Sequence, residues 1–119
     1  MQAKVDGALI VCDSIVYLTQ DFVGTLYGLE GYKKGNIGFK LLFPISEGVG
    51  TYPFLTFSGS YENEGWLLYN YTNQYKSTNG SVSITEVKGN KYKGTFSFTG
   101  VNFPGESKII SEGVFEIEK

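Results

Sequence analysis

The residues best suited to chemistry in this chain are aromatic and amide side chains gathered in one short run. Aromatic rings stack on the apolar face of a pyranose, and amide groups bond to its hydroxyl groups. We therefore predict a ligand-binding surface with no catalytic, cofactor-binding or metal-binding residue. Its candidate residues are Trp66, Tyr69, Asn70, Tyr71, Asn73 and Tyr75. The alternative is that these rings fill the core and its margin with solvent, as tyrosine commonly does.

The same run alternates along the chain as a half-buried strand does. One parity holds Trp66, Leu68, Asn70 and Thr72, and the other holds Leu67, Tyr69, Tyr71 and Asn73. Both sets contain aromatic residues, so the pattern predicts one wet face without deciding which.

Carboxylates are the other groups that could do chemistry. Glu62 and Glu64, together with Glu47, could be imagined as the acid and nucleophile of a glycosidase, which uses two carboxylates. Two carboxylates two residues apart in a polar loop are typical of a solvated pair. We therefore predict that the protein is not an enzyme.

The composition excludes several classes of function. All ten basic residues are lysine, arginine and histidine are absent, and the net charge is −2. Without a basic stripe or guanidinium groups, nucleic-acid binding is not expected. With no histidine and a single cysteine, a zinc site or a histidine-activated nucleophile cannot be built within the chain.

Cys12 is the single cysteine, so no disulfide can form within the chain. The apolar residues before it predict a buried cysteine in a strand. No run of about 20 apolar residues occurs, so we predict no transmembrane segment.

Short alternating segments bounded by turn residues predict a mainly-β fold. The chain of 119 residues fits one domain, spanning residues 1–119. We count eight to ten short strands, arranged as a single antiparallel meander with the first strand pairing near the last. Either a small lipocalin-like barrel or a strongly curled sandwich fits this count. Pro53 lacks a ladder donor and predicts an edge strand or a late strand start.

Two strands near the C-terminus have the clearest alternation. Tyr92, Gly94, Phe96 and Phe98 share a parity opposite lysine, threonine and serine, which predicts one buried face. In the last strand, a common parity predicts a second buried face of Ile109, Phe115 and Ile117, opposite Glu112, Glu116 and Glu118. The segments Asp6-Gly7, Asn79-Gly80 and Lys88-Gly89-Asn90 predict tight turns between strands.

The same region carries a resemblance to a known family. Three segments, Gly80–Thr85, Lys93–Phe98 and Ser111–Phe115, contain G-x-V-x-I-T, G-T-F-x-F and G-x-F motifs. They resemble the C-terminal signature of a family of uncharacterised secreted or lipid-anchored β-domains from Bacteroidota. The resemblance implies a fold and an exported setting, since members of that family usually begin with an export signal and an anchoring cysteine. It supplies no activity, so no functional residue is carried over.

These observations together predict a non-catalytic, exported binding domain at the cell surface or outside the cell. Its ligand would be a glycan or a small apolar molecule, the latter if a barrel closes around a cavity lined by phenylalanine, leucine and isoleucine. The alternative is a structural module that binds another surface protein through exposed rings and an open edge strand.

Overall fold

The structure is a computed structural model that describes residues 1–18, 27–34, 37–54, 63–69 and 73–118. The described residues form ten β-strands and one short 3-10 helix, Ile45–Glu47. The strands are β1 (Gln2–Val5), β2 (Ala8–Val11), β3 (Ser14–Leu18), β4 (Tyr27–Lys33), β5 (Ile37–Phe43), β6 (Gly50–Pro53), β7 (Glu64–Tyr69), β8 (Asn73–Lys88), β9 (Lys91–Val101) and β10 (Ser107–Glu118).

The ten strands belong to one antiparallel sheet that curls into a half-barrel. The strand order is β2-β1-β10-β9-β8-β7-β5-β4-β3, and β6 pairs with the second half of β8. The mainly-β meander is therefore confirmed, including the pairing of the first strand with the last. Within the described residues β6 pairs only with β8, so Pro53 lies on an edge strand as predicted.

The two outermost strands of the sheet are neighbours in the chain. Only Cys12 and Asp13 separate β2 from β3. The Cys12 N–H donates to the Met1 carbonyl at 2.9 Å, and the next N–H, of Asp13, donates to the Tyr32 carbonyl at 2.6 Å. The backbone thus changes its hydrogen-bond partner in one residue and draws the two ends of the sheet together.

Cys12 lies in this link and not within a strand, and it is half-buried. Burial raises the pKa of the Cys12 thiol. The thiol therefore stays protonated at neutral pH, and it packs against the core as a small apolar side chain.

Aromatic rings fill the concave side of the half-barrel. Phe96 of β9 contacts Phe39 and Phe115, with ring centroids 5.6 and 6.3 Å apart, and Phe98 meets Phe54 edge-on at 5.6 Å. The predicted buried face of β9 is confirmed, and the intervening Lys91, Lys93, Thr95 and Ser97 are exposed. Gly94 leaves room for the Phe115 ring, which a Cβ at this position would overlap.

The predicted faces of β10 are partly wrong. Ile109 is 60% exposed, whereas its neighbour Ile110 is 1% exposed and joins the core beside Phe115. The register with β9 shifts between Ile110 and Gly113, and Glu112 has a φ of 51°. This β-bulge inserts an extra residue and reverses the parity of everything before it.

The turn predicted at Asn79-Gly80 is also wrong, because β8 runs through these residues without ending. The register with β9 shifts between Ser77 and Asn79, and Gly80 has a φ of 104°. The Asn79 Oδ1 accepts the Thr99 N–H at 3.2 Å. The dipeptide therefore forms a bulge in a long strand. The turns predicted at Asp6-Gly7 and Gly89-Asn90 are confirmed.

Candidate functional site

The hairpin of β7 and β8 decides which face of the aromatic run is wet. Trp66 lies opposite Lys76, and Leu67 lies opposite Tyr75. Leu67 and Tyr75 are buried on the concave side, so Trp66 and Lys76 lie on the outer face of the half-barrel. The outer face is therefore the wet one, and Trp66 is half-exposed on it.

Two neighbouring side chains hold the Trp66 indole in place. Its Nε1–H donates to Glu64 Oε2 at 3.0 Å, and the other oxygen of that carboxylate lies 3.2 Å from Lys76 Nζ. The same ammonium lies 5.9 Å from the centroid of the indole ring, within the range of a cation–π contact. The ring is thus oriented before any ligand arrives, which lowers the entropy cost of binding.

Tyr75 occupies a different place from Trp66. It is 3% exposed and fits the alternative interpretation, in which the ring fills the core. Its hydroxyl oxygen accepts a hydrogen bond from Asn73 Nδ2 at 3.4 Å, and Lys108 Nζ lies 5.7 Å from its ring centroid. Tyr75 therefore supports Asn73 from inside the half-barrel.

Asn73 is joined to the loop that follows β9. Its Oδ1 accepts a hydrogen bond from Asn102 Nδ2 at 2.9 Å. Asn102 is buried and closes the loop on itself, because its Oδ1 accepts the Glu106 N–H at 2.8 Å and its N–H donates to the Glu106 carbonyl at 3.0 Å. The tip of this closed loop presents Phe103, which is fully exposed.

Trp66 and the Phe103 loop border one groove of about 540 Å³, which we call the Trp66 groove. It is lined by Trp66, Asn73, Gln74, Lys76, Val101, Asn102, Phe103 and Pro104. Two of the six predicted residues, Trp66 and Asn73, thus meet in the groove. Asn70, Tyr71 and the side chain of Tyr69 lie outside the described part of the chain, as does Glu62.

Phe103, Pro104 and Asn102 were not identified from the sequence as site residues. The segment Phe103-Pro104-Gly105 has turn chemistry and predicts only a loop. The available signal was a phenylalanine placed beside proline and glycine, where a strand cannot bury it. Phe103 is far from Trp66 along the chain, so the sequence did not indicate that the two residues line the same groove.

The groove combines the half-exposed Trp66 indole and the exposed Phe103 ring with amide groups and little net charge. Lys76 is the charged side chain that lines it, and Glu64 neutralises that ammonium in an ion pair. Rings that stack and amides that donate and accept hydrogen bonds suit a neutral ligand rich in hydroxyl groups. The Glu64 carboxylate, which lies on the outer face, is bound by both the Trp66 indole and the Lys76 ammonium group.

We expect that Asn102→Ala lowers the free energy of unfolding by about 1–3 kcal/mol, because the change removes a buried amide and leaves the part-buried polar groups that it bonds on Asn73 and Glu106 without their partner. Urea denaturation of both proteins measures the difference. Ser107→Ala, at an exposed position next to the same loop, is the control and should stay within about 0.5 kcal/mol of the unmodified protein. Equal stability of the two variants would show that Asn102 does not brace the loop.

Comparison with known proteins supplies a family. A family model described as a domain of unknown function, DUF6252, matches residues 1–117. No curated protein and no solved structure matches the chain. Among the described residues, no helix has the length and apolar character needed to cross a bilayer. Because the matched region covers the ten described strands except for the last residue of β10, and contains both sides of the Trp66 groove, we conclude that the chain belongs to the DUF6252 family.

Proposed function

We propose that the protein is a non-catalytic binding domain that takes a neutral glycan in the Trp66 groove. The observation that carries this proposal is the pairing of an indole held by Glu64 with an exposed phenylalanine on a hydrogen-bonded loop, across a groove lined by amide groups. The resemblance described above supports an exported, cell-surface setting in a member of the Bacteroidota.

The packing of the interior favours a glycan over a small apolar ligand. Phe39, Leu41 and Phe43 are completely buried, and the rings around them touch one another. An apolar guest would need to displace these side chains, because the described concave side is filled by the protein itself. The outer groove needs no such rearrangement.

The state of Glu64 favours binding over hydrolysis. A glycosidase acid or nucleophile must approach the glycosidic bond with a free carboxyl oxygen. Both oxygens of Glu64 are already engaged, one by Trp66 and one by Lys76. We therefore assign Glu64 to the positioning of the indole.

A second candidate function is binding of another protein, and a separate surface favours it. Leu9 and Val11 of β2 and Val114 of β10 are exposed apolar side chains. Gln2 of β1 lies opposite both Val11 and Val114, so these residues occupy one face across three strands. An apolar patch beside an outer strand is a usual site of association.

The first proposal is tested by a glycan-array screen followed by tryptophan fluorescence, since Trp66 is the only indole in the chain. We expect a hit that shifts the Trp66 emission. By calorimetry, Trp66→Ala should bind that glycan at least about tenfold more weakly, because a lost stacking contact costs on the order of 1–3 kcal/mol. Phe103→Ala should weaken binding in the same direction while leaving Trp66 available as a probe.

Val87→Ala provides the matched control, because Val87 is an exposed apolar residue that lines neither side of the groove. Its affinity should equal that of the unmodified protein, and all three variants should have unchanged circular dichroism. A screen without any glycan hit would refute the proposal. An apparent mass in solution that rises with protein concentration would then support the protein-binding candidate, provided that Val114→Lys lowers this mass.

A further inference from the structure

A second groove lies beside the first on the outer face. It has a volume of about 860 Å³ and is lined by residues of β3, β4, β5, β7 and β8, Gly38 among them, so we call it the Gly38 groove. Across the sheet, Tyr32 lies opposite Gly38, Gly38 opposite Leu68, and Leu68 opposite Gln74. These four residues thus form one row, in which Gly38 contributes no side chain between Tyr32 and Leu68 and the Gly31 backbone of the neighbouring strand approaches closely.

The two grooves adjoin each other. Gln74 lines both of them, and Leu68 of the Gly38 groove lies two residues from Trp66 on the same face of β7. The path from Tyr32 on β4 to the end of β9 crosses four strand intervals, or about 19 Å at the usual spacing of roughly 4.8 Å. This length is several times the width of a single pyranose ring.

Three aromatic residues are distributed along this path. Tyr32, which is 42% exposed, lies at one end, Trp66 lies in the middle, and Phe103 lies at the other end. Tyr32 and Trp66 are on strands separated by β5 alone, so these two strands lie about 10 Å apart across the sheet. Stacking positions repeated at such intervals suit successive units of a chain.

The charges along the path balance. The Gly38 groove contains Lys33 and Lys34 together with Asp13 and Glu30, and Asp13 accepts the backbone N–H of Lys34 at 2.8 Å. In the Trp66 groove Lys76 is paired with Glu64. A polyanion or polycation would meet repulsion from some of these groups, whereas an uncharged chain would not.

We infer that the occupant of the adjoining grooves is a linear, uncharged oligosaccharide that lies across the strands, with one sugar unit on Trp66 and another on Tyr32. This inference rests on the proposed function and specifies its ligand. Trp66 then contributes to the binding of every glycan, while Tyr32 contributes only when the chain is long enough to reach it.

The test is calorimetry with a series of one to six linked units of the neutral glycan found in the screen. We expect the affinity to rise at least about tenfold between two and five units and then to level off, as the additional stacking contact is gained. Tyr32→Ala should remove that increase without changing the affinity for the disaccharide. Gln74→Ala, at an exposed position shared by both grooves, should reduce the increase as well. Trp66→Ala should weaken binding at every length.

Val87→Ala remains the control and should reproduce the full increase with length. An affinity that depends on Trp66 but stays the same from two to six units would overturn the extended site and leave the proposed function standing. Failure of every glycan to bind would refute the proposed function itself. An extended peptide that displaces the bound oligosaccharide and binds more tightly than the six-unit glycan would overturn the assignment of the ligand class.

Discussion

Phe96→Ala and Phe98→Ala should each lower the free energy of unfolding by about 3–5 kcal/mol, the range for truncation of a buried phenylalanine. Both side chains are buried. Phe96 contacts the rings of Phe39 and Phe115, and Phe98 contacts Phe54, so each deletion removes apolar contacts and leaves a cavity. Denaturant unfolding followed by circular dichroism measures the loss.

Thr95→Ala and Ser97→Ala are the matched controls for this experiment. They lie on the same strand with exposed side chains, so their effects should remain within about 0.5 kcal/mol. A loss of less than about 1 kcal/mol for both phenylalanine variants would mean that the faces of β9 are reversed. The comparison therefore tests the orientation of the central strand and not only its importance.

The second large effect is expected at Ile110, next to an isoleucine that should matter little. Ile110→Ala should cost about 2–5 kcal/mol, because this side chain is almost fully buried in the core. Ile109→Ala should cost no more than about 0.5 kcal/mol, because Ile109 projects into solvent. Both variants remove the same atoms from adjacent positions, so their difference reports burial alone.

The opposite ranking, with Ile109→Ala the more damaging change, would show that β10 has no bulge between Ile110 and Gly113. Equal effects would contradict the structure as well, since one face of an antiparallel strand cannot hold two adjacent residues. The bulge need not be removed for this test, because the two alanine variants show directly which of the adjacent isoleucines is buried.

The fold was largely predictable because alternation survives wherever a strand is regular. Tyr92, Phe96 and Phe98 follow a strict period of two, and the structure places them on one face. The bulge near Glu112 could not be predicted in this way, since one inserted residue leaves no mark in the composition of the strand. Asn79-Gly80 was misinterpreted because a positive φ at glycine serves a bulge as well as a turn.

Only those residues of the candidate site that lie close together in the sequence could be predicted. Trp66 and Asn73 are close in the chain, and their residue types indicated stacking and hydrogen bonding. Phe103 reaches the same groove through the pairing of β8 with β9 and through the loop that Asn102 closes. That juxtaposition depends on strand register, which residue types alone do not encode.

The pairing of β1 with β10 also constrains when this fold can be acquired. The Ile109 N–H donates to Asp6 Oδ1 across a separation of 103 residues, so the two strands can meet only once β10 has been synthesised. Contacts so distant in sequence slow folding, and the edge of β1 that pairs with β10 stays open in the meantime. A polypeptide interrupted before β10 therefore leaves β1 paired only with β2 and β9 paired only with β8, each with one open edge.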